Sequence, residues 1–188
     1  SNYVVEAEDA LFGSNFTDPE TGYTKYLDVP SFVDWYLINE IAKNNDAIFY
    51  SSCYMNLAPG GKLKMGPVWD FDIGFGNINY NDNNSPQGFW VKTSPWMTRL
   101  FEDPAFVQKV KERFLYFRSK TDTILNNINT SSAQLKWSAI ENNNKWQTLY
   151  NATWPNYAIS GSYDNEVIYM KNWLNARMDW LETAFAGL

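Results

Sequence analysis

The sequence predicts a mainly helical α+β fold, with the whole 188-residue chain forming a single domain. Apolar residues recur at helical spacing over residues 28–43 and again, with interruptions, from residue 96 to the end. Between these parts, an alternating segment beside a Gly-rich turn favours one small β-hairpin. Hydrophobic residues make up 45% of the chain and aromatic residues 18%, which is enough to build a buried core.

The composition excludes several classes of function. The net charge is −6 and no run of Lys or Arg stands out, so the basic surface of a nucleic-acid-binding protein is missing. No apolar run is long enough to span a membrane. The only cysteine is Cys53 and there is no histidine, which excludes an internal disulfide, His metal ligands and a Ser-His-Asp triad. Any chemistry must depend on carboxylates, amides and hydroxyls, which prefer hard cations such as Mg²⁺ or Ca²⁺.

The first part of the chain is predicted to form a short helix, a loop and a longer core helix. Residues 4–12 are acidic and mildly helical, and residues 13–22 are rich in turn-forming types. Asp28 can then begin the core helix by capping free amides, and Pro30 lies in the first turn, where it is tolerated. We expect this helix to end near Lys43. The apolar residues that share one of its faces are Val33, Leu37 and Ile41.

A β-hairpin is predicted next. Residues 49–57 are rich in aromatic and small side chains, residues 58–61 form the turn, and residues 62–65 alternate with a period of two. Residues 68–76 form a short apolar run that ends in carboxylates and glycines. Because residues 77–88 are polar and rich in Asn, we expect a long exposed loop there.

Four helices are predicted in the rest of the chain. Their expected spans are residues 97–102, 104–123, 131–150 and 165–185, and an irregular segment separates the last two. No internal repeat and no low-complexity linker marks a domain boundary.

Three carboxylates flank the predicted hairpin. Asp46 precedes it, and Asp70 and Asp72 follow it, so the hairpin would bring the last two back towards the first. On an extended backbone Asp70 and Asp72 would share a face, while Phe71 would enter the core. Since two carboxylates on one face are costly without a cation, this pattern predicts a metal site.

These parts resemble the CotH family of secreted, kinase-like proteins, which is named after a spore coat protein kinase. The family carries an Asn-x-Asp followed by a Trp-Asp-x-Asp, and residues 44–46 (Asn-Asn-Asp) and 69–72 (Trp-Asp-Phe-Asp) take these places. The resemblance covers most of the chain and is strongest over residues 28–76. It implies the large, C-terminal lobe of a protein-kinase-like fold, with the acidic site carried by the hairpin.

The resemblance also implies roles for four side chains. Asp46 would act as a base or orient the acceptor hydroxyl, Asp70 would be the catalytic residue that binds the metal, and Asp72 would be a second metal ligand or a partner in the outer coordination shell. Ser51 stands where a typical kinase has a metal-binding Asn, so a hydroxyl would replace an amide there. The implied cofactors are Mg²⁺, or Mn²⁺ or Ca²⁺ in its place, and ATP. The implied substrate is a Ser or Thr hydroxyl of a protein.

Two further expectations follow from the resemblance. No Gly-rich phosphate loop and no phosphate-binding Lys precede Asp28, so the N-terminal lobe that grips the nucleotide is missing from this chain. We therefore expect the isolated chain to be inactive, because half of the phosphate clamp is absent. Members of the family are typically exported from bacteria, so we expect a secreted or cell-envelope location, although this chain shows no signal peptide.

Two other interpretations stay open. In the first, the chain is a non-catalytic module of the envelope whose kinase site has decayed, as Ser51 indicates, and whose aromatic residues bind a glycan or a protein. In the second, Asp46, Asp70 and Asp72 hold a structural Ca²⁺. Taken singly, each of these acidic residues also suits an ordinary turn or cap.

Overall fold

Six α-helices and one two-stranded antiparallel sheet make up the fold over residues 2–188, which the computed structural model describes. The predicted mainly helical α+β class is confirmed. The helices are α1 (Asn2–Phe12), α2 (Val29–Ala42), α3 (Pro95–Leu100), α4 (Pro104–Ser119), α5 (Thr121–Trp146) and α6 (Tyr163–Ala186). The strands are β1 (Met55–Asn56) and β2 (Lys64–Met65).

The described residues group into two compact units. The first unit comprises residues 2–40, 44–69 and 89–114, and so holds α1, most of α2, the hairpin and α3. The second unit comprises residues 41–43, 70–88 and 115–188, and so holds α5 and α6. That the chain acts as a single domain stays a prediction.

Helix α2 begins and ends close to the predicted positions. The backbone N–H of Ser31 donates to Asp28 Oδ1 at 3.1 Å, as expected of a residue that caps a helix. The last residue of the helix is Ala42. Lys43 follows with a φ of 49°, the left-handed conformation that commonly terminates a helix.

The predicted hairpin is confirmed, although its strands are only two residues long. Met55 pairs with Met65 and Asn56 pairs with Lys64. A turn at residues 58–61 joins the strands, and within it Gly60 takes a φ of 71°. The backbone N–H of Asp28 donates to the carbonyl oxygen of Leu63 at 2.9 Å, which attaches the hairpin to the start of α2.

The core of the first unit is largely aromatic. Trp96 stacks on Phe32 at 6.1 Å and on Phe49 at 5.8 Å between ring centroids. Trp35 meets the same Phe49 edge-on at 5.4 Å. Because Phe49 lies three residues after Asp46, this packing holds the chain in place just beyond Asp46.

The expectation that residues 77–88 form an exposed loop is wrong in part, because buried cations hold this segment. Lys43 is 4% exposed, and its Nζ donates to the carbonyl oxygens of Asp82, Ser85 and Gln87 at 3.1, 3.0 and 2.7 Å. An ammonium group has three N–H donors, and here three carbonyls accept them. Asn83, between these residues, is fully buried. The loop is therefore an ordered part of the second unit.

Side chains of α6 also hold the loop of residues 77–88. Arg177 is completely buried and its Nη1 donates to the carbonyl oxygens of Pro86 at 2.8 Å and Gly88 at 2.7 Å. Trp173 Nε1 donates to the carbonyl oxygen of Asn84 at 2.7 Å. In each of these contacts the loop contributes a backbone carbonyl oxygen and not a side chain.

Gly76→Ala is expected to destabilise the protein by about 3 kcal/mol or more, because overpacking adds to backbone strain. Gly76 has a φ of 79°, and an added Cβ would lie 2.3 Å from Trp173 Nε1. The matched control is Gly161→Ala, since Gly161 has a similar φ of 76° but no atom within 4 Å of an added Cβ. Strain alone costs about 1 kcal/mol there. Urea unfolding measures both free energies, and equal losses would contradict the predicted clash.

Candidate functional site

Asp46 lies in a tight bend that follows α2 in the first unit. Its backbone N–H donates to Asn44 Oδ1 at 3.2 Å, and its carbonyl oxygen accepts from the N–H of Ile48 at 2.9 Å. Its half-buried carboxylate accepts from Asn45 Nδ2 at 3.3 Å. Burial, together with the nearby charge of Asp46, raises the pKa of the Cys53 thiol. The bend thus presents a carboxylate at a fixed place on the unit.

A buried polar network supports this bend. Glu40 is fully buried, and its two carboxylate oxygens each accept a backbone N–H at 2.8 Å, one from Trp90 and one from Lys92. Trp90 Nε1 donates to the carbonyl oxygen of Asn45 at 2.9 Å. Asn39 Oδ1 accepts from Asn44 Nδ2 at 3.1 Å. Glu40 and Asn39 could not be predicted from the sequence, because a polar residue inside a helix gives no sign of its partner.

Ser51 belongs to the same unit as Asp46. It is exposed, in the loop that leads to β1. The neighbouring Ser52 has a φ of 62°, and its carbonyl oxygen accepts from Trp69 Nε1 at 3.0 Å. Trp69, the residue that directly precedes Asp70 in the sequence, therefore contacts the loop that follows Asp46.

Asp70 and Asp72 lie in the second unit, and both are exposed. The extended backbone expected between them is wrong, because Asp70 has a φ of 62° and Asp72 begins a turn. In this turn the N–H of Gly74 donates to the carbonyl oxygen of Phe71 at 3.1 Å. Phe71 is only half-buried, not a core residue as expected. A non-glycine residue in the left-handed region costs about 1–3 kcal/mol, and such residues cluster at functional sites.

The turn is fixed to the end of α2. The N–H of Phe75 donates to the carbonyl oxygen of Ala42 at 2.7 Å. The ring of Phe75 meets Trp173 edge-on at 6.2 Å. Tyr169 OH donates to the carbonyl oxygen of Gly76 at 3.0 Å. The segment that carries Asp72 is therefore held by α2 and α6 within the second unit.

A groove of about 460 Å³ opens beside Asp72 in the second unit. Its walls are residues 71–77, the first half of α5 and the first turns of α6. Two carboxylates line it, those of Asp72 and Glu166. The apolar lining residues are Phe71, Phe75, Ile124, Ile128, Leu135, Val167 and Met170. This groove was not predicted from the sequence, because α5 begins at Thr121, ten residues before the predicted start of the helix.

Tyr169, which lines the groove, is expected to ionise late. Burial, and then the charges of Tyr157 and Glu166, raise its pKa from 10.0 to about 12. Since the folded pKa lies above the unfolded one, the stability that Tyr169 contributes is complete below pH 10. It is lost as the pH rises through about 12.

Ultraviolet titration of wild type against Tyr169→Phe tests this prediction. The chain has 12 tyrosines, so the difference between the two curves isolates the contribution of Tyr169. A difference centred near pH 12 is expected, whereas one centred near pH 10 would show that burial leaves this phenol unshifted.

Two wider features of the described residues bear on function. Among residues 2–188, no group of three or more His, Cys, Asp or Glu side chains is arranged to hold a metal ion. No helix in this part of the chain combines the length and the apolar character that crossing a membrane requires.

The comparisons with known proteins identify one relationship. A protein-family model described as CotH kinase protein matches residues 1–181. Neither a curated protein nor a solved structure matches the chain.

Proposed function

The chain belongs to the CotH kinase family, and from that membership we propose that its intact protein transfers a phosphoryl group from ATP to a protein hydroxyl. The family match over residues 1–181 carries this proposal. The strained conformation of Asp70 and the exposed carboxylate of Asp72 support it locally. The proposed substrate is a Ser or Thr hydroxyl of a protein.

The proposed roles follow from where the carboxylates stand on the chain. Asp46 has a position fixed by its bend, so its carboxylate can accept a hydrogen bond from an acceptor hydroxyl and orient it. Asp70 and Asp72 are the proposed metal ligands, and Ser51 supplies a hydroxyl for a second metal position. Orientation of this kind is the main contribution of a protein to phosphoryl transfer.

The donor set fits a hard divalent cation. Mg²⁺ in phosphotransferases is bound by one or two carboxylates, with the nucleotide phosphates and water completing the shell. Asp70 and Asp72 supply two carboxylates within three residues of chain. A cation bound there would neutralise charge on the phosphate oxygens. Mg²⁺ is our first choice, with Mn²⁺ or Ca²⁺ as substitutes.

We further propose that phosphoryl transfer requires an N-terminal lobe and that this chain alone is inactive. The described residues before Asp28, residues 2–27, form α1 and a loop, and these residues include no Gly-rich strand pair to cover phosphates. A secreted or cell-envelope location in bacteria is proposed from the family alone.

The second candidate is a non-catalytic module that binds a glycan, and exposed aromatic side chains favour it. Trp137 and Trp154 are each 76% exposed. Trp154 lies nearly parallel to Tyr80, with ring centroids 6.1 Å apart. Exposed indole faces suit contact with sugar rings, in contrast to the buried Trp35 and Trp96 of the core.

Calorimetric titration of the chain with ATP, in Mg²⁺ and in EDTA, separates the candidates. Under the kinase proposal, Asp70 and Asp72 still hold ATP through Mg²⁺ without the second lobe, so weak binding of ATP is measurable in Mg²⁺ and absent in EDTA. Binding that is absent in both buffers, or insensitive to the metal, would favour the decayed module. Melting in Ca²⁺ against EDTA tests the structural-ion interpretation, because a structural ion raises the midpoint strongly without ATP.

A further inference from the structure

We propose that the groove beside Asp72 binds a segment of the acceptor protein that carries a large apolar side chain next to a Lys or Arg. This inference rests on the proposed kinase function and adds which residues of the acceptor protein the groove would select. Its basis is the groove formed by residues 71–77, α5 and α6.

The walls of the groove are apolar surfaces that the fold leaves partly uncovered. Ile124, Ile128 and Leu135 are spaced by four and seven residues, so they form one stripe along α5. Val167 and Met170 face this stripe from α6. Leu135 is 54% exposed and the other four are half-buried. An apolar side chain that covered this stripe would gain about 25 cal/mol for each Å² removed from water.

The groove is formed before any ligand binds, because polar contacts join its two helices. Tyr163 OH donates to the carbonyl oxygen of Ser132 at 3.1 Å, which links the start of α6 to the middle of α5. Lys171 Nζ donates to Asn129 Oδ1 at 2.8 Å. A preformed pocket spares the ligand the cost of ordering its walls. Its volume of about 460 Å³ suits one large side chain and parts of its neighbours.

The charges in the groove select the residue beside the apolar side chain. Asp72 and Glu166 line the groove, and none of its described lining residues is Lys or Arg. Glu166 is held in place, because its Oε1 accepts from the N–H of Ser160 at 3.1 Å and from its Oγ at 2.8 Å. The fixed carboxylate of Glu166, to which the charge of Asp72 adds when no metal is bound, attracts Lys or Arg and repels Asp and Glu.

The position of Asp72 favours the acceptor protein as the occupant. Asp72 is a proposed metal ligand and also a wall of the groove, so a chain bound there lies against the phosphoryl-transfer site. Nucleic acids and anionic lipids would meet two carboxylates. A polypeptide with adjacent apolar and basic side chains satisfies both the walls and the carboxylates.

The test uses the full chain and fluorescein-labelled nine-residue peptides with a central serine. The first peptide carries an adjacent Leu-Arg pair next to the serine. The second peptide has Gly in place of the Leu, and the third has Glu in place of the Arg. Fluorescence anisotropy is measured in EDTA without nucleotide, so the result does not depend on the kinase proposal. The Leu-Arg peptide is expected to bind at least about tenfold more tightly than either of the others.

Variants of α5 locate the binding site. Leu135→Lys is expected to weaken the Leu-Arg peptide about tenfold. The matched control, Ile140→Lys, changes an exposed residue of the same helix outside the groove and should bind like wild type. Glu166→Gln should reduce the preference for Arg over Glu. Equal binding of all three peptides, undiminished binding by Leu135→Lys, or a second copy of the chain occupying the groove in sedimentation experiments would overturn the proposal.

Discussion

Asp70→Asn is expected to weaken the Mg²⁺-dependent binding of ATP at least about a hundredfold. Loss of a partner outside the first coordination shell costs about 10–100-fold in metal affinity, and loss of a ligand should cost at least as much. Asn suits this test because it tolerates a left-handed backbone well, so the φ of 62° at this position is preserved. The substitution thus removes one negative charge with little change in the fold.

The control for this substitution is Asp122→Asn. Asp122 is an exposed carboxylate in the first turn of α5, in the same unit as Asp70 but outside the proposed site. Calorimetry should give wild-type affinity for the control, and circular dichroism should give the same helix content for both variants. Equal affinities for wild type and Asp70→Asn would remove Asp70 from the metal site.

Lys43→Met is expected to lower the free energy of unfolding by about 3 kcal/mol or more. The substitution leaves the carbonyl oxygens of Asp82, Ser85 and Gln87 without their ammonium donor. Because these hydrogen bonds are only partly buried, each lost partner costs an amount at the lower end of about 1–3 kcal/mol. Met keeps most of the length of the side chain, so the loss reports the hydrogen bonds more than the packing.

Urea unfolding of Lys43→Met beside Lys136→Met tests this account of the loop. Lys136 is an exposed residue of α5, where surface substitutions change stability by less than about 0.5 kcal/mol. If Lys43→Met unfolds at the same urea concentration as the control, its contacts to the loop carry no net stability.

The sequence was sufficient for elements that local chemistry determines. Asp28 caps α2 as its side chain predicts, and Gly60 takes the left-handed conformation that the hairpin turn requires. The motif at residues 69–72 indicates from the sequence alone the family that the family model also gives. In each case the signal lies within a few residues of the feature.

Features that depend on distant partners could not be predicted. The sequence from Thr121 to Thr130 is rich in Asn and Thr, which disfavour helices, yet α5 begins at Thr121. Its apolar stripe, including Ile124 and Ile128, packs beside α6 and overrides the local preference. The prediction that the Asn-rich loop is exposed was wrong in part for a related reason. The cations that hold the loop, Lys43 and Arg177, lie 39 or more residues away in the sequence.

The central claim is that the exposed carboxylates of Asp70 and Asp72 bind a divalent metal ion. Paramagnetic broadening by Mn²⁺ tests this claim most directly. Backbone amide resonances of the full chain are recorded during titration with Mn²⁺ and ATP. Broadening is expected to begin at residues 70–73 and to be lost in Asp70→Asn. Broadening centred on other acidic residues, with residues 70–73 unaffected, would contradict this claim.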